Sequence, residues 1–506
     1  MTGALRRFLL IMAVAATALG LGVAKAQEEV TLRIGTGAEL SSLDPRVATD
    51  IPSFERIYAI LEPLVTFAHD LSLEPRLAAD WELSEDGLTL SFELREGVMW
   101  HHGREFTSED VRYTFEWVLD PENDAPNRAL YEDIDTIETP DDYTVVFNLS
   151  EPNSFLLNNI ARMPVVPYDL GDDPGFGSEP VGTGPYMFES LVRDDRLVLR
   201  AFDDYWGGRG QVDVVEFRPI PEDATRLLAF EAGEIDLSQS QPVPAELERL
   251  EEDERFMVER TPGTGYTYLG FNTRVETLDD VRVRQAISHL IDRDAVVDQI
   301  LEGIGQPGIS MIIPEMPWFN PDVTRFDYDP ERAAELLAEA GVEEGVNLRL
   351  YTNENPIRIF VAEILQAELA NLGINLEVNI EEFGAFLSRV QDTDDYDMFI
   401  LGWGGQLDPD RAMIRQFTTE GPANYTYYSN ERVDELVTRG RVIPTDSPES
   451  IEVYQEAQAI VVEEVPYAFV FYTEEIAFYH PYVEGFNVHS YGSVPYQDLH
   501  EVTINR

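Results

Sequence analysis

The sequence predicts an α/β protein of more than one domain, and three observations carry that prediction. Leu348 to Tyr351 reads as a strand, Ile357 to Leu372 as an amphipathic helix, and Ile374, Leu376, Val378 and Ile380 as the next strand. That order makes a βαβ unit, which requires parallel strands joined by a right-handed crossover. A separate block, roughly 55–178, has strands and a helix of its own and ends in the turn-rich stretch Gly171 to Pro180, as a subdomain would. The 506 residues also exceed what a single hydrophobic core usually organises.

The elements follow in order along the chain. Arg6 and Arg7 precede an apolar run from Phe8 to Val23 that ends on Ala24-Lys25-Ala26. A basic region, a short run rich in small residues and a small-x-small site make a secretory signal over 1–26, with the mature chain starting near Gln27. The run barely reaches the roughly 18 apolar residues that a membrane span needs. Val30 to Ile34 alternates like a strand until Gly35 and Gly37 break it. Leu88 to Leu94 and Tyr143 to Leu149 alternate in the same way, and between them Thr107 to Asp110 forms a capping box for a helix reaching about Leu119. Asp279 or Asp280 caps a helix that carries Val283, Ile287, Leu290, Ile291 and Val297 on one face and stops at Gly303. Asp329-Pro330 starts another, which Gly341 closes.

Composition narrows the function. Cysteine is absent, which excludes a disulfide framework, a thiolate metal site, a cysteine nucleophile and a lipid-modified cysteine at the cleavage site. An exported protein held between two membranes fits that pattern. Cleavage after residue 26 removes three basic residues and no acid, so the formal charge falls from −59 to −62. Nucleic acid is not a partner for such a surface, because phosphate binding needs a basic face. Lys25 is the only lysine, so every cation of the mature chain is arginine. This composition fits a protein kept folded in high salt, where the self-repulsion of carboxylates is screened. The melting temperature is therefore expected to rise steeply between about 0.01 M and about 1 M salt, as the Debye length falls from ~30 Å to ~3 Å; a flat melting series would remove the high-salt reading.

The chain has no phosphate-binding loop, dinucleotide fingerprint, zinc-protease helix or serine elbow. Gly35-Thr-Gly, Gly182-Thr-Gly and Gly263-Thr-Gly read as turns. His101 and His102 are neighbours on an extended stretch and point to opposite faces, so they cannot readily share a metal ion. Acid pairs such as Glu251-Glu252 carry no information in a chain with 95 acids. No cofactor and no metal are expected, and neither is an enzyme.

Read in order, a series of stretches becomes specific: Leu61-Glu-Pro-Leu-Val-Thr-Phe67, Leu73-Glu-Pro-Arg-Leu-Ala-Ala-Asp-Trp81, Leu94-Arg-Glu-Gly-Val98 and Phe106-Thr-Ser-Glu-Asp-Val111. Pro180-Val-Gly-Thr-Gly-Pro-Tyr186, Asp204-Tyr-Trp206, Ala229 to Asp236, Val281 to Ala286, Ile291-Asp-Arg293, Gly402-Trp-Gly404 and Asp408-Pro-Asp410 continue it. In this order the chain resembles the family 5 extracellular solute-binding proteins of ABC transporters, which include dipeptide-, oligopeptide- and nickel-binding proteins. Locally, Gly182, Gly184 and Pro185 suit a tight turn into a strand from Tyr186, Tyr205 and Trp206 suit core, and Arg293 suits an ion pair with a neighbouring carboxylate.

The resemblance implies a two-lobed periplasmic-binding-protein fold of type II, in its extended peptide-binding form, with an extra subdomain and hinged closure on solute. The first lobe would comprise 27–54, 179–268 and 474–506, with 55–178 as the extra subdomain, and the second lobe 269–473. The strands crossing between lobes would lie near Tyr268 to Asn272 and near Phe469 to Thr473. In peptide-binding relatives the ligand backbone is gripped as an added strand, and the matching edges here are Glu39, Leu40 and Ser41 in one lobe and Gly402, Trp403 and Gly404 in the other. Trp403 either lines the cleft or fills core. Oligopeptide-binding relatives carry an aspartate for the α-ammonium three positions after this tryptophan, where this chain has Gln406. Glu39, Asp408 or Asp410 substitutes for it, or the solute has no ammonium. Tyr266, Tyr268 and Asn272 near the hinge, and Asn353, complete the expected cleft. The resemblance implies capture of peptides by a periplasmic monomer and delivery to an ABC permease and its ATPase subunits. An oligosaccharide, an opine or a metal chelate is the alternative solute, and a secreted hydrolase is the rival from another class.

Overall fold

Two long antiparallel strands, Met257–Phe271 and Tyr467–Tyr479, run side by side through the middle of the molecule and decide its architecture. The computed structural model describes residues 29–239, 244–405, 407–445 and 447–506; the expected leader at 1–26 and Gln406 lie outside them. Residues 257–262 pair with 474–479, the ladder is interrupted between Pro262 and Tyr266, and 266–270 then pair with 467–472. Each half of this ribbon carries different neighbours. Beyond the bulge, Tyr266 to Phe271 pair with Met398–Trp403, followed by Asn347–Asn353 and Asn375–Glu381. Before it, Tyr479 to Ala477 pair with Leu237–Gln239, followed by Thr31–Thr36, Val214–Pro219, Arg196–Ala201 and Tyr186–Val192. One continuous sheet thus runs through this two-lobed molecule, with a bulge part-way along its central ribbon. The bulge falls at Pro262 to Tyr266.

The βαβ unit read from the sequence is present: Asn347–Asn353 and Asn375–Glu381 are parallel, joined by the helix Pro356–Asn371. Helix Pro330–Ala340 starts on the Asp329 cap and ends at Gly341 with φ 74°. The 55–178 block holds a four-stranded antiparallel sheet ordered Ala78–Leu83, Thr89–Leu94, Thr144–Leu149, Ile134–Asp141. Its helix Ser108–Leu119 begins where the Asp110 carboxylate accepts from the Thr107 N–H at 3.0 Å, and its Phe115 packs edge-on to Phe147 at 5.2 Å. Here the apolar alternation and the cap residue were enough to fix the element.

Two expectations fail for local reasons. The helix that Asp280 caps ends at His289 rather than at Gly303. Asp292 accepts from the Ala295 N–H at 2.9 Å and nucleates a separate turn, so the apolar spacing runs on across a break. Arg293 pairs with no carboxylate among the described residues. It is half-buried and donates instead to the carbonyls of Phe469, Ser288, Ile291 and Phe326, and its pKa is lowered to about 10 by desolvation. Four carbonyl dipoles replace the counter-ion and tie the second lobe to its half of the ribbon.

The stretches that carry the resemblance are mostly structural. The Glu62 carboxylate, 1% exposed, accepts from Arg76 at 3.0 Å and from Thr183, Tyr205 and Trp206 at 2.9 Å each. One buried acid therefore gathers residues from four of those stretches, and the expected core placement of Tyr205 and Trp206 follows from it. Gly182 is required by contact: a Cβ there would lie 1.7 Å from the Ile60 carbonyl oxygen.

The 55–178 block also touches the second lobe directly. Arg441 reaches Asp133 at 2.8 Å and Asp410 at 3.2 Å, Arg162 meets Asp408 at 3.3 Å, and Phe155 packs on Trp318 and Tyr454 at 5.7 Å.

Candidate functional site

At the bulge of the central ribbon, strands and loops from both lobes surround an open cleft. The ribbon supplies Thr264 to Thr267, Thr473 and Glu475, and the second lobe supplies Arg358 and Gly402 to Gly405. Ile51 and Tyr491 to Ser493 close it from the other side. Three backbones crowd here because glycine allows it: a Cβ on Gly265 would stand 2.8 Å from the Trp403 carbonyl oxygen. The Gly263-Thr-Gly pair read as a turn is this close approach.

Strand Met398–Trp403 gives the cleft its backbone wall. Its pairing with Asn347–Asn353 covers only Met398 and Phe399, while its other edge is paired as far as Trp403. Leu401 to Trp403 therefore have no strand on their outer side among the described residues, which is the geometry an extended ligand needs to join a sheet. Arg358 stands beside this edge, with its Nη2 2.9 Å from where a Cβ of Gly402 would be. It sits in the first turn of helix Pro356–Asn371, following a parallel strand, where α/β folds place ligands. Its Nη1 donates to Asn353 Oδ1 at 2.8 Å, and no carboxylate pairs with it among the described residues. Desolvation lowers its pKa. A guanidinium held this way seeks an anion.

Glu475 faces the same cleft from the ribbon. Burial, with the nearby Glu55 carboxylate adding to it, raises its pKa to about 8, and Gln239 Nε2 at 3.4 Å partly offsets that.

Of the residues expected at the site, the cleft brings together Tyr266, Gly402, Trp403 and Gly404. Tyr266 contributes backbone only, since its buried hydroxyl donates to Gln416 at 2.6 Å. Trp403 has a half-buried ring that lies parallel to Tyr425 at 6.3 Å, so it both lines the cleft and packs. Asn353 stands behind Arg358 and positions it. Tyr268 is fully buried and stacked on Tyr467 at 3.8 Å, outside the cleft lining. Asn272 is a fold residue that donates to the Tyr396 carbonyl at 2.9 Å. Glu39, Leu40 and Ser41 do not offer an open edge: the Leu40 N–H is taken by Glu39 Oε1 at 3.0 Å and the Ser41 N–H by Ser53 Oγ at 2.9 Å. Asp408 is withdrawn from the cleft because it caps helix Pro409–Phe417 and pairs with Arg162. Gln406 lies outside the described residues. Arg358 and Glu475 were missed. The strand-then-helix-start position could have flagged Arg358, whereas one glutamate among so many acids carries no sequence signal.

Comparison with known proteins identifies the family. Residues 72–425 match the model for bacterial extracellular solute-binding proteins, family 5. A dipeptide-binding protein of Escherichia coli is 29% identical over 78% of this chain and 79% of its own length. The periplasmic binding protein DppA of Helicobacter pylori, solved with the peptide STSA, superposes with a TM-score of 0.82 at 29% identity, covering 95% of this chain and all (100%) of that one. The binding protein AgaA of A. tumefaciens, solved with agropinic acid, gives 0.81 at 27% identity, covering 94% and 99%. With two lobes on one sheet, a cleft at the bulge between them and a family match over most of its length, the chain belongs to the family 5 bacterial extracellular solute-binding proteins.

Proposed function

We propose that this chain is the capture component of an ABC importer for short peptides, exported through a leader at 1–26 and working as a periplasmic monomer. It closes on a peptide between its lobes and presents it to a membrane permease whose ATPase subunits drive uptake. The observation that carries this reading is Arg358, a half-buried guanidinium with no carboxylate partner among the described residues, beside the open edge Leu401 to Trp403. A peptide laid on that edge gains backbone hydrogen bonds and delivers its carboxylate to Arg358. The peptide-binding relatives support the solute class. The lobes in this reading are 29–54, 179–262 and 474–506 on one side and 266–473 on the other, with 55–178 as the extra subdomain. An opine-like carboxylate is the second reading, favoured by the amide at Gln406 and by the likeness to AgaA.

Mass spectrometry of solute carried through native purification, followed by calorimetric titration with peptides, tests the proposal. One peptide bound per chain without product is the expected result. Turnover, or retention of a non-peptide solute with no response to peptides, would replace it.

A further inference from the structure

We propose that Glu475 is the subsite for the α-ammonium group of the solute, so that a zwitterion bridges Glu475 in one lobe and Arg358 in the other. This inference rests on the peptide reading and deepens it. Glu475 is half-buried, and the buried acids among the described residues are matched with arginine, as Glu62 is with Arg76, Asp110 with Arg104 and Asp408 with Arg162. The adjacent Glu474 pairs with Arg260 at 2.7 Å. Glu475 has no such partner among the described residues, yet it faces the cleft.

The elements packed around it explain why no internal cation arrives. Strand Leu237–Gln239 brings the Gln239 amide, and helix Ile51–Ile57 brings another carboxylate, Glu55. The 491–493 segment brings Tyr491 and Gly492, where a Cβ would sit 2.8 Å from Glu475 Oε1. The ribbon itself adds Thr473, and Arg358 belongs to the opposite lobe. A carboxyl so placed holds its proton until a cation enters, and the cleft is the open approach. Glu475 lies on the half of the ribbon paired through Thr261, whereas Arg358 moves with the other lobe. A solute carrying both charges therefore favours the closed arrangement over either single contact.

The test presents the solute-stripped full chain with a defined pool of di- to pentapeptides, each with a free and an N-acetylated amino end. Native mass spectrometry identifies what is retained. Wild type is expected to prefer free amines by at least about tenfold, a difference of ~1.4 kcal/mol. Glu475→Gln, which is isosteric with the protonated acid, is expected to lose that preference while keeping its demand for a free carboxylate. Equal retention of both forms by wild type, or an unchanged preference in the variant, overturns the Glu475 assignment and leaves peptide capture standing. Retention of no peptide overturns both. Proton counting in buffers of different ionisation heat needs no variant. With the carboxyl near 8 and a peptide amine near 8, binding should release about one proton near pH 7 and take up about one near pH 9. An N-acetyl peptide should move none, and a free peptide that shows no change of sign overturns the assignment.

Discussion

Replacing Arg358 by glutamine is expected to weaken capture of a peptide with a free carboxylate by about a hundredfold, and to leave a C-terminally amidated peptide almost unchanged. A charge-assisted hydrogen bond contributes about 1.5–3 kcal/mol, each 1.4 kcal/mol is tenfold in affinity, and a guanidinium offers two such bonds to one carboxylate. The variant should also fold at least as well as wild type. The wild-type guanidinium is desolvated and, among the described residues, hydrogen-bonded to the Asn353 amide with no carboxylate to pair it, so removing its charge relieves a cost. The measurement is calorimetric titration of both proteins with matched free and amidated peptides. A loss of the same size for both peptides would mean that Arg358 shapes the cleft without reading the carboxylate.

Stability should fall as pH rises from about 6.5 to about 8.5, by roughly 3–4 kcal/mol in the solute-free protein. Three carboxyls are responsible: burial raises Glu55 and Asp410 to about 7 and Glu475 to about 8. Each folded-state value lies above the unfolded one, so the folded chain holds more protons in this range and loses stability as they leave. His101 and His489 are lowered to about 4 by burial and act in the opposite sense, but only below about 6.5, where unfolded histidine titrates. The window above that belongs to the carboxyls. Denaturant midpoints at both ends of the range check this, and the double variant Asp410→Asn, Glu475→Gln should flatten most of the slope. A midpoint that climbs with pH would contradict it.

Elements were legible in the sequence where one local signal sufficed. Thr107 and Asp110 fixed a helix start, Asp329, Pro330 and Gly341 fixed both ends of another, and alternation fixed the strands around Leu350 and Leu376. The long helix expected after Asp280 failed because apolar spacing continued across a break that Asp292 imposes. The site was legible in half. Gly402 to Gly404 were found because they match the stretch that forms a ligand-gripping edge in the family the chain resembles. Asp408 looked equally available for solute, yet its carboxylate is consumed by a cap and by Arg162, and only the fold brings Arg162 within reach from 246 residues away. Among the described residues Arg358 has no carboxylate partner and Glu475 no arginine partner, and a missing ion pair leaves no mark in a sequence, so only the position of Arg358 at a helix start was there to be read.

The ribbon at the centre of the molecule has a mechanical consequence. Both chain crossings lie in one ladder, with Pro262 opposite Glu474 and Tyr266 opposite Tyr472, one strand spacing of about 4.8 Å apart. With the lobe boundaries proposed above, two pivots so close together would act as a single axle: the lobes would swing about it, while sliding or independent twisting would tear the ladder on either side of the bulge. Opening and shutting then run along one coordinate. A membrane partner that reads the shape of this protein meets two positions of a door, with little between them.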